Sequence, residues 1–404
     1  MTIDSARTGV EGFDPSQFDH FGQEHAEHPE FVWAALRGTA GLAKSEKHGG
    51  FRVISRYEEI CEAARNAELF SSAGGTAQPP HPMPPLIPVD IDPPMHGQYR
   101  KVLTAELGPT AIARKESEYR ELADELLADI PAEGQFDFCE AFSAQFPERV
   151  ALRTIGFDQK DRKDLGRWFH DMTHLRGIDE QAAIMAAFSM FGRVKEVIEQ
   201  RRAEPRRDDL LSLLLDGTVE DPGGGSRPMT DDEILMYVAL LLFGGLDTTA
   251  SAISGAFYYL AQHPKDRELL LGDEVALDRA VEEFVRWTSP VQGLARTVTS
   301  DTELGGCPLH QGERVMLLWG AGNRDETVFD APDEIQLDRY PNRHLGFGMG
   351  PHRCMGSHLA KVMVKIAIER AVRVLGDFEL ADPDGVRWAA GEARGIVELP
   401  LRRI

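Results

Sequence analysis

The sequence is poor in cysteine and has no surplus of basic residues. Its 404 residues include four cysteines, and no two of them form a Cys-x-x-Cys pair. This absence excludes zinc-ribbon, thioredoxin-like and ferredoxin-like sites, and the low density makes a disulfide framework unexpected. Lys and Arg number 44 against 66 Asp and Glu, for a formal net charge of −22. Because nucleic acids and anionic membranes attract surplus cations, we expect the chain to bind neither.

Targeting, nucleotide-binding and repeat signals are also missing. The N-terminal residues lack the apolar stretch of a secretory signal, so we expect a cytoplasmic protein. No P-loop, Gly-x-Gly-x-x-Gly or Gly-x-Ser-x-Gly motif is present, which argues against a nucleotide site and against a serine hydrolase. No internal repeat and no clear linker divides the chain. We therefore expect one domain over residues 1–404.

The longest weakly charged stretch, 234–261, predicts a long buried helix. Its only charge is Asp247, which would be costly at the centre of a membrane span. Thr230 and Glu233 have the spacing of a capping box at its start, and Pro264 follows its end. A helix of about 32 residues is roughly 48 Å long, enough to cross a whole domain.

Strand-like segments are few and short, so the sequence predicts a mainly α fold with small β-sheets. The candidate strands are Phe51–Ser55, Thr297–Thr299, Arg314–Trp319 and the tail near Ile396–Leu401. Residues 71–95 contain eight prolines together with several apolar residues, which favours a functional lid over a disordered linker.

A glycine-rich loop with a cysteine comes directly before a helical pattern. Residues 345–356 have the sequence Leu-Gly-Phe-Gly-Met-Gly-Pro-His-Arg-Cys-Met-Gly, and a helix is expected from Ser357 to Leu375. A helix N-terminus stabilises a thiolate, and alternating glycines let the backbone approach a flat, bulky ligand. Cys354 would suit an axial haem ligand. From the spacing alone, a reactive or buried cysteine beside a tight turn is the more ordinary interpretation.

Two glycines, an acid and an alcohol occur halfway along the predicted central helix. Gly244 and Gly245 each cost about 1 kcal/mol relative to Ala, which suggests a widened turn or the close approach of a ligand. Asp247 and Thr248 are suited to a proton relay. A close contact between two helices with buried hydroxyl groups explains the same residues equally well.

Two further pairs of residues share helix faces. Glu283 and Arg286 are three residues apart, and His96 and Arg100 are four apart. Such pairs are usually solvated, so each is ambiguous by itself.

The order and spacing of these motifs resemble the cytochrome P-450 superfamily, specifically the soluble bacterial haem-thiolate monooxygenases. The resemblance covers nearly the whole chain. The pattern Phe-x-x-Gly-x-(Arg/His)-x-Cys-x-Gly is matched by Phe347, Gly350, His352, Cys354 and Gly356. The pattern (Ala/Gly)-Gly-x-(Asp/Glu)-Thr is matched by Gly244, Gly245, Asp247 and Thr248. The Glu-x-x-Arg pair is Glu283 and Arg286, and Arg339 resembles the arginine that completes the family's buried network.

The resemblance implies the family's triangular-prism fold, with haem b held between the central helix and the helix after the cysteine loop. Cys354 would be the iron ligand, and Asp247 and Thr248 would deliver protons to dioxygen. The remaining cofactor contacts would be His96, Arg100, Arg296, His352, Phe347, Gly348, Gly356 and Gly244. Among these, His96, Arg100, Arg296 and His352 would provide cations to the two haem propionates.

The resemblance also implies a substrate pocket built from several segments. Its expected lining is Leu240, Phe243, Gly244, Thr248, Val291 and Leu294, covered by the 71–95 lid and by the helix at 181–192. For each apolar residue, ordinary core packing is the alternative. Because Phe243 is bulky, we expect a small to medium apolar substrate, such as a terpenoid or an aromatic compound.

The implied reaction inserts one oxygen atom from O₂ into the substrate, with electrons from an external ferredoxin and reductase. No flavin or iron–sulfur motif is present, so no fused reductase is expected. A peroxide-dependent enzyme of the same fold is the first alternative, and the Asp247–Thr248 pair argues against it. A catalytically silent haem-binding partner protein is the second alternative.

Positive charge is concentrated around Cys354. Between Arg339 and Arg373 there are seven Lys or Arg residues and one acid, Glu369. An acidic ferredoxin is therefore expected to dock on this side of the molecule. Near the N-terminus, His20, His25 and His28 match no standard metal-site spacing, and we expect them on a solvated face.

Overall fold

The computed structural model describes residues 13–404 except 82, 175–178 and 221–222. Residues 1–12 of the expected domain and Pro82 of the expected lid thus lie outside the described residues. The α-helices are α1 Gln23–Glu27, α2 Pro29–Gly38, α3 Tyr57–Arg65, α4 Met95–Thr104, α5 Pro109–Ala128, α6 Gln145–Ile155, α7 Arg162–His174, α8 Glu180–Ala203, α9 Leu210–Asp216, α10 Asp231–Leu260, α11 Pro264–Gly272, α12 Glu274–Thr288, α13 Trp319–Gly322 and α14 Ser357–Leu375. The prediction of a mainly α fold is confirmed.

The strands are short and form one larger sheet and several small ones. Their bounds are β1 Ala43–Ser45, β2 Phe51–Ile54, β3 Phe70–Ser71, β4 Gln135–Asp137, β5 Thr218–Glu220, β6 Ser226–Pro228, β7 Leu294–Val298, β8 Thr302–Leu304, β9 Cys307–Leu309, β10 Arg314–Leu317, β11 Phe378–Leu380, β12 Arg387–Ala389, β13 Gly395–Glu398 and β14 Pro400–Arg403. The five-stranded sheet has the order β1-β2-β10-β7-β3, in which only β2 and β10 are parallel. A second sheet has the order β11-β14-β4, and β5–β6, β8–β9 and β12–β13 are hairpins.

Helix α10 is the central helix that the sequence predicts. The Thr230 hydroxyl accepts from the Glu233 backbone N–H at 3.2 Å, and the Glu233 carboxylate accepts from the Thr230 N–H at 2.7 Å. This reciprocal capping starts a helix of 30 residues. Among the described residues, α10 is the single helix long and apolar enough to span a membrane, and half of its most apolar window is buried inside the protein.

The two halves of α10 belong to different hydrophobic clusters. The first half, up to Leu246, packs with α4, α6, α7, α8 and α9. The second half, from Ala252 onward, packs with α5, α12 and α14. The turn between them, which contains Asp247 and Thr248, belongs to neither cluster. The packing therefore leaves the middle of the helix available to line a cavity.

A buried carboxylate joins α12 to the segment that leads into the cysteine loop. Arg286 forms two 2.8 Å hydrogen bonds to Glu283, and both side chains are fully buried. The Arg339 Nε lies 3.1 Å from both carboxylate oxygens. Burial alone would raise the pKa of Glu283, but the hydrogen bonds and charges of these arginines hold it below its usual value. The three residues thus form one buried network.

The structure corrects two expectations about local arrangement. His20 and His25 are buried, and only His28 is exposed, so the predicted solvated face is wrong for two of the three histidines. His25 accepts a 2.8 Å hydrogen bond from the Trp33 indole, which gives this core histidine a partner. The tail near Ile396–Leu401 forms two strands in different sheets, separated at the buried Leu399.

We predict that Arg286→Met strongly destabilises the protein, because Glu283 would keep a buried charge without its bidentate partner. The expected loss is about 3–5 kcal/mol in the free energy of unfolding. Urea denaturation followed by circular dichroism measures it. Arg402→Met is the matched control, since Arg402 pairs with Glu379 at 2.7 Å with both side chains about half exposed. The control should cost less than about 1 kcal/mol. Equal losses in the two variants would contradict a structural role for the network.

Candidate functional site

A cavity of about 400 Å³ lies between the middle of α10 and the cysteine loop. This volume is within the usual range for small-molecule sites. The residues that the sequence singled out for chemistry or binding line it: His96, Arg100, Leu240, Phe243, Gly244, Asp247, Thr248, Val291, Leu294, Arg296, Phe347, Gly348, His352, Cys354 and Gly356. Glu283, Arg286 and Arg339 lie outside it, in the buried network. One cavity therefore collects side chains from positions more than 250 residues apart.

The cysteine loop folds back on itself before α14 begins. The Cys354 N–H donates to the Phe347 carbonyl oxygen at 2.8 Å, which closes the loop. Gly348 and Gly350 have φ values of +64° and +71°, a backbone region that side chains disfavour. A Cβ atom on Gly350 would also lie 2.2 Å from the carbonyl oxygen of Ala64 on α3. Glycine is thus required at position 350 by conformation and by space.

The Cys354 thiol faces the cavity three residues before the first residue of α14. It is accessible through the cavity, but it is surrounded by protein, and this burial raises the pKa of the thiol. The Gly356 N–H and the charges of Arg100 and Arg353 act in the opposite direction. The expected thiolate stabilisation by the helix N-terminus is therefore outweighed in the protein alone. A metal cation at the sulfur would reverse this balance.

Two histidines in the cavity wall, His96 buried and His352 half-buried, each have a buried ring nitrogen without a hydrogen-bond partner in the described chain. The rings of His96 and His352 lie 4.1 Å apart, and within the described chain His96 Nε2 and His352 Nδ1 have no hydrogen-bond partner. Burial, together with the charges of Arg100 and Arg296, lowers the pKa of His96 to about 4 and that of His352 to about 3. Each ring therefore has a nitrogen available to hydrogen-bond a group in the cavity.

Arg296 supplies buried positive charge beside these histidines. It lies on β7, where Leu294 and Arg296 point to the same face because side chains alternate along a strand. The side chain is 3% exposed and donates to the carbonyl oxygen of Ala295 at 2.8 Å. Burial lowers its pKa to about 10, and it remains charged at neutral pH. With Arg100 close by, this end of the cavity is suited to an anionic group.

The two glycines of α10 have different reasons for being small. A Cβ atom on Gly245 would lie 3.1 Å from that of Ala151 on α6, so this position is a close contact between helices. A Cβ atom on Gly244 would meet nothing within 4 Å, and this residue is open to the cavity. The Thr248 hydroxyl donates to the Gly244 carbonyl oxygen at 2.8 Å, and Asp247 lies half-buried beside it.

The apolar side of the cavity includes a residue that sequence reasoning missed. Phe169 on α7 packs edge-on against Phe243, with ring centroids 5.6 Å apart, and both line the cavity. No described residue of 181–192 lines it, although the sequence analysis placed this helix over the pocket. From the sequence pattern alone, an aromatic residue in a helix that lines a pocket cannot be distinguished from one that packs in the core.

The expected lid lines the cavity, and it meets a C-terminal loop that the sequence did not indicate. Thr76, Gln78, Leu86 and Asp90 of the lid are lining residues. Further lining comes from Gly391, Glu392 and Ala393, in the loop between β12 and β13. His81 Nε2 lies 2.6 Å from Glu392 Oε1, which joins the two segments at the cavity edge. The two residues are more than 300 positions apart in the sequence, so only the fold brings them together.

Four of the seven cations from Arg339 to Arg373 are paired with nearby acids. Their partners within 4 Å are Glu283 for Arg339, Glu282 for Lys361, Glu274 and Asp278 for Lys365, and Asp124 for Arg370. Arg343 and Arg353 are exposed, and Arg65 of α3 is exposed where α3 packs on the cysteine loop. We call Arg65, Arg343 and Arg353 the loop-side cations. The excess of positive charge on the surface around the cysteine loop is therefore smaller than the number of Lys and Arg residues in 339–373 implies.

Comparisons with known proteins point to one family. A family model described as Cytochrome P-450 matches residues 158–270 and 275–397. The chain is 37% identical over 340 residues to the Steroid C26-monooxygenase of Mycolicibacterium smegmatis, covering 82% of each chain. It is 30% identical to Cytochrome P-450-terp of Pseudomonas sp, covering 95% of this chain and 94% of that one. The structure of CYP109E1 from Bacillus megaterium in complex with testosterone matches with a TM-score of 0.84 and 25% identity, over 95% of this chain and 99% of that one.

We predict that Gly350→Ala destabilises the protein more than the same change at another glycine with positive φ. At Gly306, where φ is +73° and a Cβ atom would meet nothing within 4 Å, alanine should cost about 1–2 kcal/mol from backbone strain alone. At Gly350 the added methyl also overlaps the Ala64 carbonyl oxygen, which has no freedom to yield. Urea unfolding of both variants measures the difference, and equal losses would contradict the close approach of α3 to the loop.

Proposed function

The chain belongs to the cytochrome P-450 family of haem b monooxygenases, and we propose that it oxidises a small to medium apolar substrate with electrons from a separate ferredoxin. The observation that carries the proposal is the convergence of Cys354, Asp247, Thr248 and an apolar wall on one cavity. We further propose that residues 1–404 form one catalytic domain, and that the protein acts in the cytoplasm.

The cavity has the donors that haem b requires. Haem carries two carboxylates and one iron, and the cavity has unpaired imidazole nitrogens at His96 and His352, buried positive charge at Arg296, and one thiol at Cys354. These features are costly in the protein alone, because buried polar groups without partners are destabilising. We propose that Cys354 ligates the iron and that His96, Arg100, Arg296 and His352 hold the propionates.

When bound, the haem supplies the dioxygen-activating chemistry of the family. We propose that Thr248 holds a proton at Oγ1 on the cavity side of α10. Adjacent helical side chains point roughly 100° apart, so Asp247 would connect Thr248 to solvent and would not share its position. The open surface at Gly244 would leave room for a small ligand beside Thr248.

The apolar wall supports a terpenoid or aromatic substrate. Leu240, Phe243 and Phe169 present hydrocarbon to the cavity, and the two phenylalanine rings narrow it. Cytochrome P-450-terp is among the relatives with similarity over nearly the whole chain. A steroid is a second candidate, favoured by the 37% identity to a Steroid C26-monooxygenase and by the likeness to a structure with testosterone bound.

We propose that the electron donor is an acidic ferredoxin that docks over the cysteine loop. The loop-side cations provide the positive surface. The excess of acidic residues in the rest of the chain, whose net charge as a whole is −22, repels an acidic partner from other faces. Because most other cations in this part of the chain are paired with acids, electrostatic attraction of the ferredoxin depends mainly on the three loop-side cations. Peroxide dependence is the alternative within the family, and the presence of both Asp247 and Thr248 favours O₂.

We predict that Thr248→Ala lowers the coupling of electron use to product formation several-fold, because the proton donor beside the reaction centre is lost. The ratio of product formed to reduced nicotinamide consumed, with a surrogate ferredoxin and reductase, measures coupling. Thr104→Ala is the matched control and should retain coupling, since the Thr104 hydroxyl also donates to the carbonyl oxygen four residues back, at 2.7 Å, and Thr104 lines no part of the cavity. Unchanged coupling in Thr248→Ala would remove the proposed proton role. Activity with peroxide alone would support the peroxide alternative, and ligand binding without product would support a silent haem protein.

We predict that monoterpenoids or small aromatic compounds shift the haem spin state on binding, as measured by absorbance titration. Phe243→Ala should weaken their binding by about tenfold or more, because the aromatic contact area is lost. Phe188→Ala is the control, since that ring is 71% exposed on α8 and lines no part of the cavity. A shift with steroids alone would select the second candidate, and a shift with large macrolides alone would overturn both.

We predict that reduction by an acidic ferredoxin slows as salt is added, because screening weakens attraction between exposed charges. Arg65→Gln should lower the bimolecular rate several-fold at low salt. Arg373→Gln is the control, since this exposed residue lies roughly 24 Å along α14 from the loop. A rate independent of salt, or an equal effect of both substitutions, would contradict docking at the loop-side cations.

A further inference from the structure

Three side chains of types that bind metals lie close together, and one of them, His20, lines the cavity. Asp19 and His20 follow a 3₁₀ turn at Pro15–Gln17, and His48 lies in another 3₁₀ turn, Lys47–Gly49. One ligand atom from each of the three residues lies within 4.8 Å of the others. Among the described residues, this is the single group of three such side chains with this spacing.

The burial of His20 points to a missing partner. Its side chain is 6% exposed, and its Nδ1 makes no hydrogen bond within the described chain. A buried ring nitrogen without a partner is uncommon and calls for a ligand or a functional role. His48 Nε2 already lies 2.8 Å from Asp19 Oδ1, so two of the three groups are close enough to share one ion. Asp19 and His48 are about one third and one quarter exposed, which leaves an entry path from solvent.

We propose that Asp19, His20 and His48 bind one divalent transition-metal ion of the zinc type. Two imidazoles and one carboxylate are ligands that Zn²⁺ prefers, and three protein ligands leave a fourth position for water. With only nitrogen and oxygen donors, the site is chemically distinct from the single thiol at Cys354. Glu392 lies near enough to act electrostatically on His20, which adds negative charge next to the site.

The ion would fasten the N-terminal segment to the cavity edge. His20 lines the cavity, and the carbonyl oxygen of His48 accepts a 2.9 Å hydrogen bond from Gln78 of the lid. One ion would therefore connect the N-terminal segment, the turn at Lys47–Gly49 and, through His48, the lid. This role does not depend on the identity of the substrate.

Equilibrium dialysis of the haem-loaded enzyme against micromolar Zn²⁺, with elemental analysis of zinc and iron, tests the site. We expect one zinc per iron in the unaltered protein. Asp19→Asn and His48→Asn should each weaken zinc binding by at least about tenfold. Asparagine suits position 48, where φ is +52°, and the haem absorbance should be unchanged in both variants. His310→Asn is the matched control, because His310 and Asp301 form an exposed pair at 3.6 Å.

Absence of stoichiometric zinc, or retention of zinc in both variants, would overturn the proposal. X-ray absorption at the zinc edge gives a second test that requires no variant. Nitrogen and oxygen neighbours at about 2.0–2.2 Å are expected. A sulfur neighbour at about 2.3 Å would place the ion at a cysteine and would also overturn the site.

Discussion

The position of the cysteine loop depends on the buried carboxylate of Glu283. This carboxylate holds Arg286, which donates to the carbonyl oxygen of Asn323 at 2.8 Å. The side chain of Asn323 in turn accepts the Leu345 N–H at 2.6 Å, at the start of the loop. A continuous chain of hydrogen bonds therefore runs from α12 to the segment that carries Cys354. Because these groups are buried, losing one partner leaves the others without compensation.

The cavity is assembled from features that are unfavourable in the protein alone. Two histidines with lowered pKa values, a buried arginine and a thiol with a raised pKa face one space. Each is understandable when a group with carboxylates and a metal cation fills that space. Helix α10 contributes by crossing two hydrophobic clusters and leaving the turn with Asp247 and Thr248 between them. The two hydrophobic clusters thus stabilise the fold, whereas the groups of the site do not contribute to its stability.

The sequence patterns correctly predicted those elements that are determined by residues close together in the sequence. The capping box at Thr230 and Glu233 and the length of α10 follow from neighbouring residues, and the structure has both. The glycines that the cysteine loop requires are likewise part of one contiguous motif, 345–356. The expectations that were wrong concern distant partners. His20 and His25 are polar in the sequence, yet they are buried because other segments pack over them. Phe169 and the 391–393 loop line the cavity, although no adjacent residue marks them.

The sequence by itself determined the family, the central helix and the residues suited to the chemistry, because these depend on residue type and short spacing. Tertiary structure alone decided which charges remain free. It paired Lys361, Lys365 and Arg370 with acids from α12 and α5, so a basic stretch of chain is a much less basic surface. It also brought Asp19 and His20 beside His48, and His81 beside Glu392. Charge pairing and burial depend on distances between remote segments, which local spacing does not encode.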